Sequence, residues 1–127
     1  MKSLPRMFVI GCVALSAMAL ARSSNETDLR ATLAGMGRGQ AEFKTDTERT
    51  GTRTEVDVQA DRLAGNASYS ITIGANTPFV ATTDHNGSLS FDQRFTTNPP
   101  VANAGDSVTI ADANATIVLS GTLQVHH

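Results

Sequence analysis

The feature that most constrains this chain is the repeated alternation of apolar and polar residues. In "YSITIG", the apolar residues Tyr69, Ile71 and Ile73 occupy every second position. The stretch "GSLSFDQRF" repeats the pattern with Leu89 and Phe91. Successive side chains of a β-strand point to opposite faces of the sheet. The pattern therefore predicts strands with one buried face and one hydrated face.

Stretches of this kind follow one another along most of the chain. They are DLRATLAG, GQAEFKTD, RTEVDVQA, YSITIG, PFVATT, GSLSFDQRF, DSVTIAD and TIVLSGTLQV. No stretch carries an apolar stripe at helical spacing, and the short turns between stretches favour antiparallel neighbours. The sequence predicts an all-β fold, an antiparallel β-sandwich with immunoglobulin-like architecture and about seven to eight strands. A small barrel is the alternative.

Turn residues indicate how the second and third strands pair. We expect Thr50 and Gly51 to be at the centre of a hairpin between them. That register places Asp46 opposite Glu55. Like charges on directly opposed residues destabilise a sheet by roughly 0.2–1 kcal/mol, so this pair is the weakest part of the predicted register.

Two further features bear on strand order. Pro99 and Pro100 cannot continue a ladder because proline has no amide donor, so they predict a crossover between sheets. The first and last stretches, LRATLAG and LSGTLQV, have similar compositions. We expect them to be terminal strands that are neighbours in one sheet. In the last stretch, Ile117, Leu119 and Val125 occupy the alternating apolar positions.

The N-terminus has the organisation of a secretory signal peptide. Lys2 and Arg6 precede an uncharged, mostly apolar run over residues 7–20. This run is too short to span a hydrocarbon core of roughly 30 Å, and it ends in small residues that a signal peptidase reads. We predict a signal peptide over residues 1–21 and a single β-sandwich domain over residues 22–127. The expected location is secreted or periplasmic.

The alternative for the N-terminus is a lipoprotein, since the residues before Cys12 resemble a lipobox. The apolar run before Cys12 is shorter than a signal peptide needs, so anchoring through Cys12 is the less favoured interpretation. The net charge of the chain is −2, with no basic excess. This argues against nucleic acid as a partner. No second hydrophobic run occurs, so we predict no membrane insertion after signal removal.

The stretch "TTDHNGSLSF" contains the strongest candidate for a functional site. Asn86 and Gly87 predict a type I′ hairpin turn, in which both residues adopt positive φ. Asp84 and His85 could orient one another, with Ser88 or Ser90 as a nucleophile. Neighbouring residues at a strand end project in different directions, however, and catalysis needs convergence to about 3 Å. We predict no catalytic residue and consider Asp84, His85 and Asn86 candidate partner-binding residues.

A second candidate surface is the stretch "DTERTGTRTE" at residues 46–55, where Arg53 is a candidate partner-binding residue. The favoured interpretation is an exposed hairpin whose charges prevent edge-to-edge aggregation. His126 and His127 could join His85 as metal ligands, but a terminal pair tends to fray. We therefore predict no metal and no cofactor.

In chain order, several stretches resemble small uncharacterised β-sandwich modules of bacterial exported proteins. These are LRATLAG, GQAEF, YSITIG, TTDHNGSLSF, GDSVTI and LSGTL. The resemblance covers nearly all of residues 22–127. It implies an exported module and no catalytic residue.

The predicted function is that of an exported, non-enzymatic β-sandwich module. It would have a structural or binding role in the bacterial envelope or extracellular space, with a protein or glycan as its partner. The alternative is a small secreted inhibitor or carrier that binds a protein or sugar through loops at one end of the sandwich. Residues 84–87 and 99–106 would form those loops.

Overall fold

The computed structural model describes residues 25–126 as one antiparallel sheet of nine strands, with only the backbone of Asn25 described. The strands are β1 (Asn25–Gly35), β2 (Arg38–Glu48), β3 (Gly51–Asp61), β4 (Ser68–Ile73), β5 (Phe79–Thr82), β6 (Leu89–Phe95), β7 (Ser107–Ala111), β8 (Ile117–Thr122) and β9 (Gln124–Val125). Residues 25–126 contain no helix, and hence none long and apolar enough to cross a membrane. The all-β prediction is confirmed. The predicted signal peptide and Cys12 lie outside the described residues.

The alternation of the sequence accounts for the core. The inward-facing residues of each long strand are buried, and the residues between them face solvent. The largest fully buried apolar side chains are Phe43, Leu33, Ile71, Ile73, Leu89, Ile110, Leu119, Leu123, Val56, Val58 and Val108. Burying one such side chain stabilises the fold by roughly 1.5–3 kcal/mol, so the inner faces of the strands hold the sheet together.

The hydrogen-bonded strand order is β5-β4-β7-β8-β1-β2-β3-β6, and β9 also pairs with β1. Ser120 on β8 pairs with Ala34, and Val125 on β9 pairs with Leu29. The prediction that the first and last stretches are neighbours is therefore confirmed. Residues 96–106, which include Pro99 and Pro100, carry the chain from one end of this order to its interior.

All nine strands belong to one hydrogen-bonded sheet that nearly closes into a barrel. The two-sheet sandwich is not confirmed, and the alternative of a small barrel describes this order better. The period of two indicates which face of a strand is buried, but it does not distinguish one curved sheet from two stacked sheets. Both arrangements enclose the inward faces equally well.

Side chains, rather than a backbone ladder, close the barrel at one seam. The end strands β5 and β6 form no ladder with each other in the described chain, although residues 83–88 connect them directly. Phe79 on β5 packs against Phe91 and Phe95 on β6, with ring centroids 5.1 and 5.6 Å apart. Aromatic pairs of this kind contribute about 0.5–1.5 kcal/mol beyond area burial.

The predicted register of the β2–β3 hairpin is wrong by two residues. Arg49 and Thr50 form a two-residue turn, and Asp46 lies opposite Arg53 rather than Glu55. A shift of two residues keeps every side chain on its own face, so alternation cannot detect it. Charge pairing favours the observed register, because it replaces two opposed carboxylates with an ion pair.

A β-bulge changes the pattern in β8. Ile117 pairs with Ala111 and Leu119 pairs with Ile110, which leaves Val118 as an extra residue on β8. Val118 and Leu119 are consequently both buried, and Ile117 is 58% exposed. The prediction that Ile117 faces inward is wrong because the bulge turns it outward.

Val125 is also exposed, contrary to its predicted inward position. It lies on β9, a strand of two residues at the end of the described chain. β9 pairs with β1 on one edge, and no strand of the described chain pairs with its other edge. Val125 therefore has no further strand to pack against.

Candidate functional site

Residues 84–88, hereafter the Asp84 turn, connect β5 to β6 and contain three of the four candidate residues. Asp84 Oδ1 accepts hydrogen bonds from the backbone N–H groups of Asn86 and Ser88, at 2.9 and 3.0 Å. The N–H of Gly87 donates to the Asp84 carbonyl, and the Asp84 N–H donates to the Ser88 carbonyl. Gly87 has a φ of +81°, but Asn86 does not have positive φ. The turn is therefore a type I turn followed by a left-handed glycine, and the predicted type I′ geometry is wrong.

A buried threonine ties the Asp84 turn to the loop between β3 and β4. Thr83 Oγ1 donates to the Ala64 carbonyl at 2.6 Å and accepts from the Ala67 N–H at 3.0 Å. The Leu63 N–H also donates to the Gly87 carbonyl at 3.1 Å. The turn is thus held by its own hydrogen bonds and by a second loop.

The same hydrogen bonds determine the electrostatics of Asp84. The N–H of Ser88 is the main cause that lowers the pKa of the Asp84 carboxyl below its ordinary value of 3.8. The Asn86 N–H and the neighbouring His85 act in the same direction. A general base works best when its pKa lies near the operating pH. Asp84 is instead a charged acceptor for its own backbone.

His85 and Asn86 form the exposed tip of this turn. Within residues 25–126, no hydrogen bond links the His85 ring to Asp84, Ser88 or Ser90, the groups that a catalytic arrangement would need. Ser90 Oγ instead accepts a hydrogen bond from Gln59 at 2.9 Å. The tip therefore presents an imidazole and an amide to solvent, both of which can hydrogen-bond a partner.

Arg53 lies far from the Asp84 turn. It is near the start of β3, and its Nη2 donates to Asp46 Oδ2 at 3.2 Å. The part of β3 nearest the turn is Ala60, which pairs with Leu89 at the start of β6. The distance along β3 from Arg53 to Ala60 is roughly 23 Å. The structure therefore brings Asp84, His85 and Asn86 together, and it does not bring Arg53 to them.

The charged hairpin that contains Arg53 lies within the sheet, between β1 and β6. The ladder with β6 ends at Thr54, so protection of a sheet edge applies only to residues 51–53 of this hairpin. The charges of the hairpin also form cross-strand ion pairs. Arg53 pairs with Asp46, and Glu55 lies 3.8 Å from Arg94 on β6. Exposed pairs of this kind contribute about 0–1 kcal/mol each, so they help to select the register more than they stabilise the fold.

The two loops of the carrier alternative lie at opposite ends of β6. Residues 84–87 precede Leu89, and residues 99–106 follow Phe95. A single site at one end of the barrel therefore cannot contain both loops.

The histidines at the C-terminus do not form a metal site in the described chain. The backbone N–H of His126 donates to the Asp28 carbonyl at 2.8 Å, which extends the contact with β1. His127 lies outside the described residues. Across residues 25–126, no group of three or more His, Cys, Asp or Glu side chains could hold a metal ion.

A polar groove that the sequence did not predict lies beside the Asp84 turn. This open groove of about 720 Å³ is lined by residues that include Arg38, Gln40, Gln59, Asp61, Asp84 and Ser90. Strand pairing aligns Gln40, Gln59 and Ser90 in one row across β2, β3 and β6. Arg38 and Asp61 form an exposed ion pair at 3.2 Å. Alternation indicates that these residues face outward, but only the strand order brings them together.

Together these features define a small antiparallel β-module with a firmly held, exposed turn beside a polar groove. The chain matches no protein-family model, and no curated protein matches it.

Proposed function

We propose that this chain is an exported, non-enzymatic module of the bacterial envelope or extracellular space. It acts as immunoglobulin-like sandwiches do, by using a rigid β-scaffold to present a binding loop. The binding surface is the Asp84 turn together with the polar groove beside it. The partner is a protein or glycan that is recognised by hydrogen bonds.

One observation carries this proposal: the Asp84 turn is held in place while its tip remains exposed. The Asp84 carboxylate accepts two hydrogen bonds that fix the backbone of the turn, and the Thr83 hydroxyl donates one to the neighbouring loop. His85 and Asn86 make no structural contribution of this kind through their side chains in the described chain. A preorganised loop loses little conformational entropy when it binds, which favours affinity. Its neighbouring groove adds amide, hydroxyl, carboxylate and guanidinium groups.

Partner capture and a measured affinity test the binding role. Immobilised residues 22–127 are exposed to culture supernatant and envelope extract, and a captured partner is purified and titrated. We expect the double variant His85→Ala/Asn86→Ala to weaken binding at least tenfold. Arg49→Ala, which removes an exposed side chain at the opposite end of the barrel, is the matched control and should leave affinity unchanged. Equal affinities for all three proteins would contradict the proposed surface.

Export is tested separately by the mass of the processed protein. We expect cell fractionation to place the protein outside the cytoplasm, with an N-terminus at Arg22 after cleavage of residues 1–21. A lipid-modified N-terminus at Cys12, lost in Cys12→Ser, would support the lipoprotein alternative instead. An unprocessed cytoplasmic protein that begins at Met1 would contradict export.

A further inference from the structure

A second concave region, of different chemistry, lies at the same end of the barrel as the Asp84 turn. Its volume is about 570 Å³, within the range of small-molecule sites. Its apolar lining is contributed by Met36, Leu63, Ala67, Tyr69 and Val118. None of the residues of the Asp84 turn lines it. We refer to it as the apolar cavity.

A β-bulge and a backbone hydrogen bond of the β1–β2 loop build one wall of the apolar cavity. The β-bulge in β8 turns Val118 inward beside Leu119, where it forms part of the cavity lining. The N–H of Met36 donates to the Val118 carbonyl at 2.9 Å, which places the methionine against the same wall. Met36 is nevertheless 76% exposed. Bulges commonly re-aim side chains next to binding sites, and an exposed methionine is an adaptable apolar contact.

The loops that border the apolar cavity hold unfavourable backbone conformations. Outside glycine, positive φ occurs at four residues in the described chain, and three of them belong to these loops: Arg62, Asn66 and Ala115, with φ of 66°, 53° and 65°. Such conformations cost on the order of 1–3 kcal/mol each and cluster at functional sites. Their concentration around one cavity supports a binding role for it.

Charge at the rim indicates the chemistry of the ligand. Arg62 is exposed, lines the cavity and forms no ion pair with any residue between positions 25 and 126. Asp112 also lines the cavity, but its Oδ1 accepts the N–H groups of Asn114 and Thr116 and is held against its own turn. The rim therefore carries one cation and one carboxylate; backbone N–H groups of its own turn engage the carboxylate of Asp112, and no described ion pair engages Arg62.

We propose that the apolar cavity binds a small carboxylic acid with an aliphatic body. The chain of the acid lies against Met36, Leu63 and Val118, and its carboxylate pairs with Arg62. Arginine recognises carboxylates through charge-assisted hydrogen bonds. This site goes beyond the proposed function, and its test uses purified protein without the protein or glycan partner.

Titration with sodium octanoate below its micelle concentration tests the proposal. Binding is followed by ¹H–¹⁵N correlation spectra of residues 22–127. We expect saturable shifts confined to residue 36 and residues 62–69 and 112–118. Octylammonium, which has the same chain and the opposite charge, should bind at least tenfold more weakly. Absence of saturable shifts, shifts outside the cavity, or equal binding of the two amphiphiles would overturn the proposal.

Two variants and a matched control locate the site. Arg62→Asn removes the charge but keeps a residue that tolerates positive φ, and it should weaken octanoate about tenfold. Ala64→Trp fills the cavity and should abolish the shifts. Arg49→Asn removes an exposed arginine at the opposite end of the barrel and should have no effect. If Arg62→Asn and Arg49→Asn weaken octanoate equally, binding is not at this cavity. Unchanged far-ultraviolet circular dichroism establishes that each variant is folded.

Discussion

Two turns of this molecule have the same local design and different surroundings. In the Asp84 turn, Oδ1 of the aspartate accepts N–H groups two and four residues later, at 2.9 and 3.0 Å. In residues 112–116, hereafter the Asp112 turn, Oδ1 of Asp112 does the same at the same distances. The fourth residue of each turn is left-handed: Gly87 with φ of 81° in one, Ala115 with φ of 65° in the other.

The two turns differ in what they connect. The Asp112 turn joins β7 and β8, which pair with each other as a hairpin that contains the β8 bulge. The Asp84 turn joins β5 and β6, the two ends of the sheet, which form no ladder with each other. Contacts with the β3–β4 loop through Thr83 and Gly87 hold the Asp84 turn instead. The same local hydrogen bonds can therefore end in a hairpin or in a barrel seam, and nonlocal contacts decide which.

The largest expected effect is that of Gly87→Ala. An added Cβ would collide with the Leu63 carbonyl oxygen, and alanine disfavours the positive φ at this position. We expect the free energy of unfolding to fall by about 2–4 kcal/mol, from backbone strain and overpacking together. Urea denaturation with an unchanged m-value measures this loss.

Gly105→Ala is the control for Gly87→Ala. Gly105 also has positive φ, +97°, but no atom lies within 4 Å of its added Cβ. The free energy of unfolding of the Gly105→Ala variant should fall only by the cost of backbone strain, about 1–2 kcal/mol. Equal losses for the two variants would show that contact with Leu63 does not anchor the Asp84 turn.

Thr83→Val should make the Asp84 turn resemble the Asp112 turn, because the residue before the aspartate would then lack a hydroxyl, as Ala111 does before Asp112. The substitution keeps the volume of the side chain but leaves the Ala64 carbonyl and the Ala67 N–H without their partner. We expect a loss of about 1–3 kcal/mol in the free energy of unfolding, measured by urea denaturation. Thr82→Val, on the exposed neighbouring residue, should change it by less than about 0.5 kcal/mol. Similar losses at both positions would contradict the anchoring role of Thr83.

Ala115→Gly should strengthen the Asp112 turn. Glycine removes the cost of a left-handed alanine, about 1–2 kcal/mol, and adds entropy to the unfolded chain worth about 0.4–1 kcal/mol. The net expectation is a gain of about 0.5–1 kcal/mol in the free energy of unfolding, measured as a higher urea midpoint. A lower midpoint would mean that Ala115 makes contacts that offset its strain.

The smallest expected effect concerns the charge of Asp84. Because the folded state lowers the pKa of this carboxyl, its contribution to stability is present above about pH 4 and is lost as the pH falls through the folded value. Asp84→Asn should lower the urea midpoint at pH 7, and the difference from the unmodified protein should shrink as the pH falls below 3.8. Glu48→Gln, at an exposed position of β2 opposite Gly51, serves as the control. A difference that is independent of pH would show that the Asp84 hydrogen bonds do not depend on its charge.

The candidate site was accessible to sequence reasoning only in part. The Asn86-Gly87 pair indicated a turn at the right place, because glycine tolerates the φ that a tight turn requires. The pattern Asp-x-Asn-x-Ser/Thr occurs at residues 84–88 and again at residues 112–116, and this repeat was the signal for the shared hydrogen bonds. The polar groove and the apolar cavity had no such signal. Their walls come from strands and loops that are distant in the chain.

The sequence by itself determined the buried face of most strands and the approximate positions of the turns. Both properties are local: the pleat of a strand repeats every two residues, and turn chemistry spans only a few. Tertiary structure decided the register of the β2–β3 hairpin, the bulge that buries Val118, and the strand order that leaves a seam between β5 and β6. The register and the bulge arise from pairing between consecutive strands, and the strand order arises from contacts between residues distant in the chain. A two-residue shift of register or a different strand order would leave the alternation unchanged.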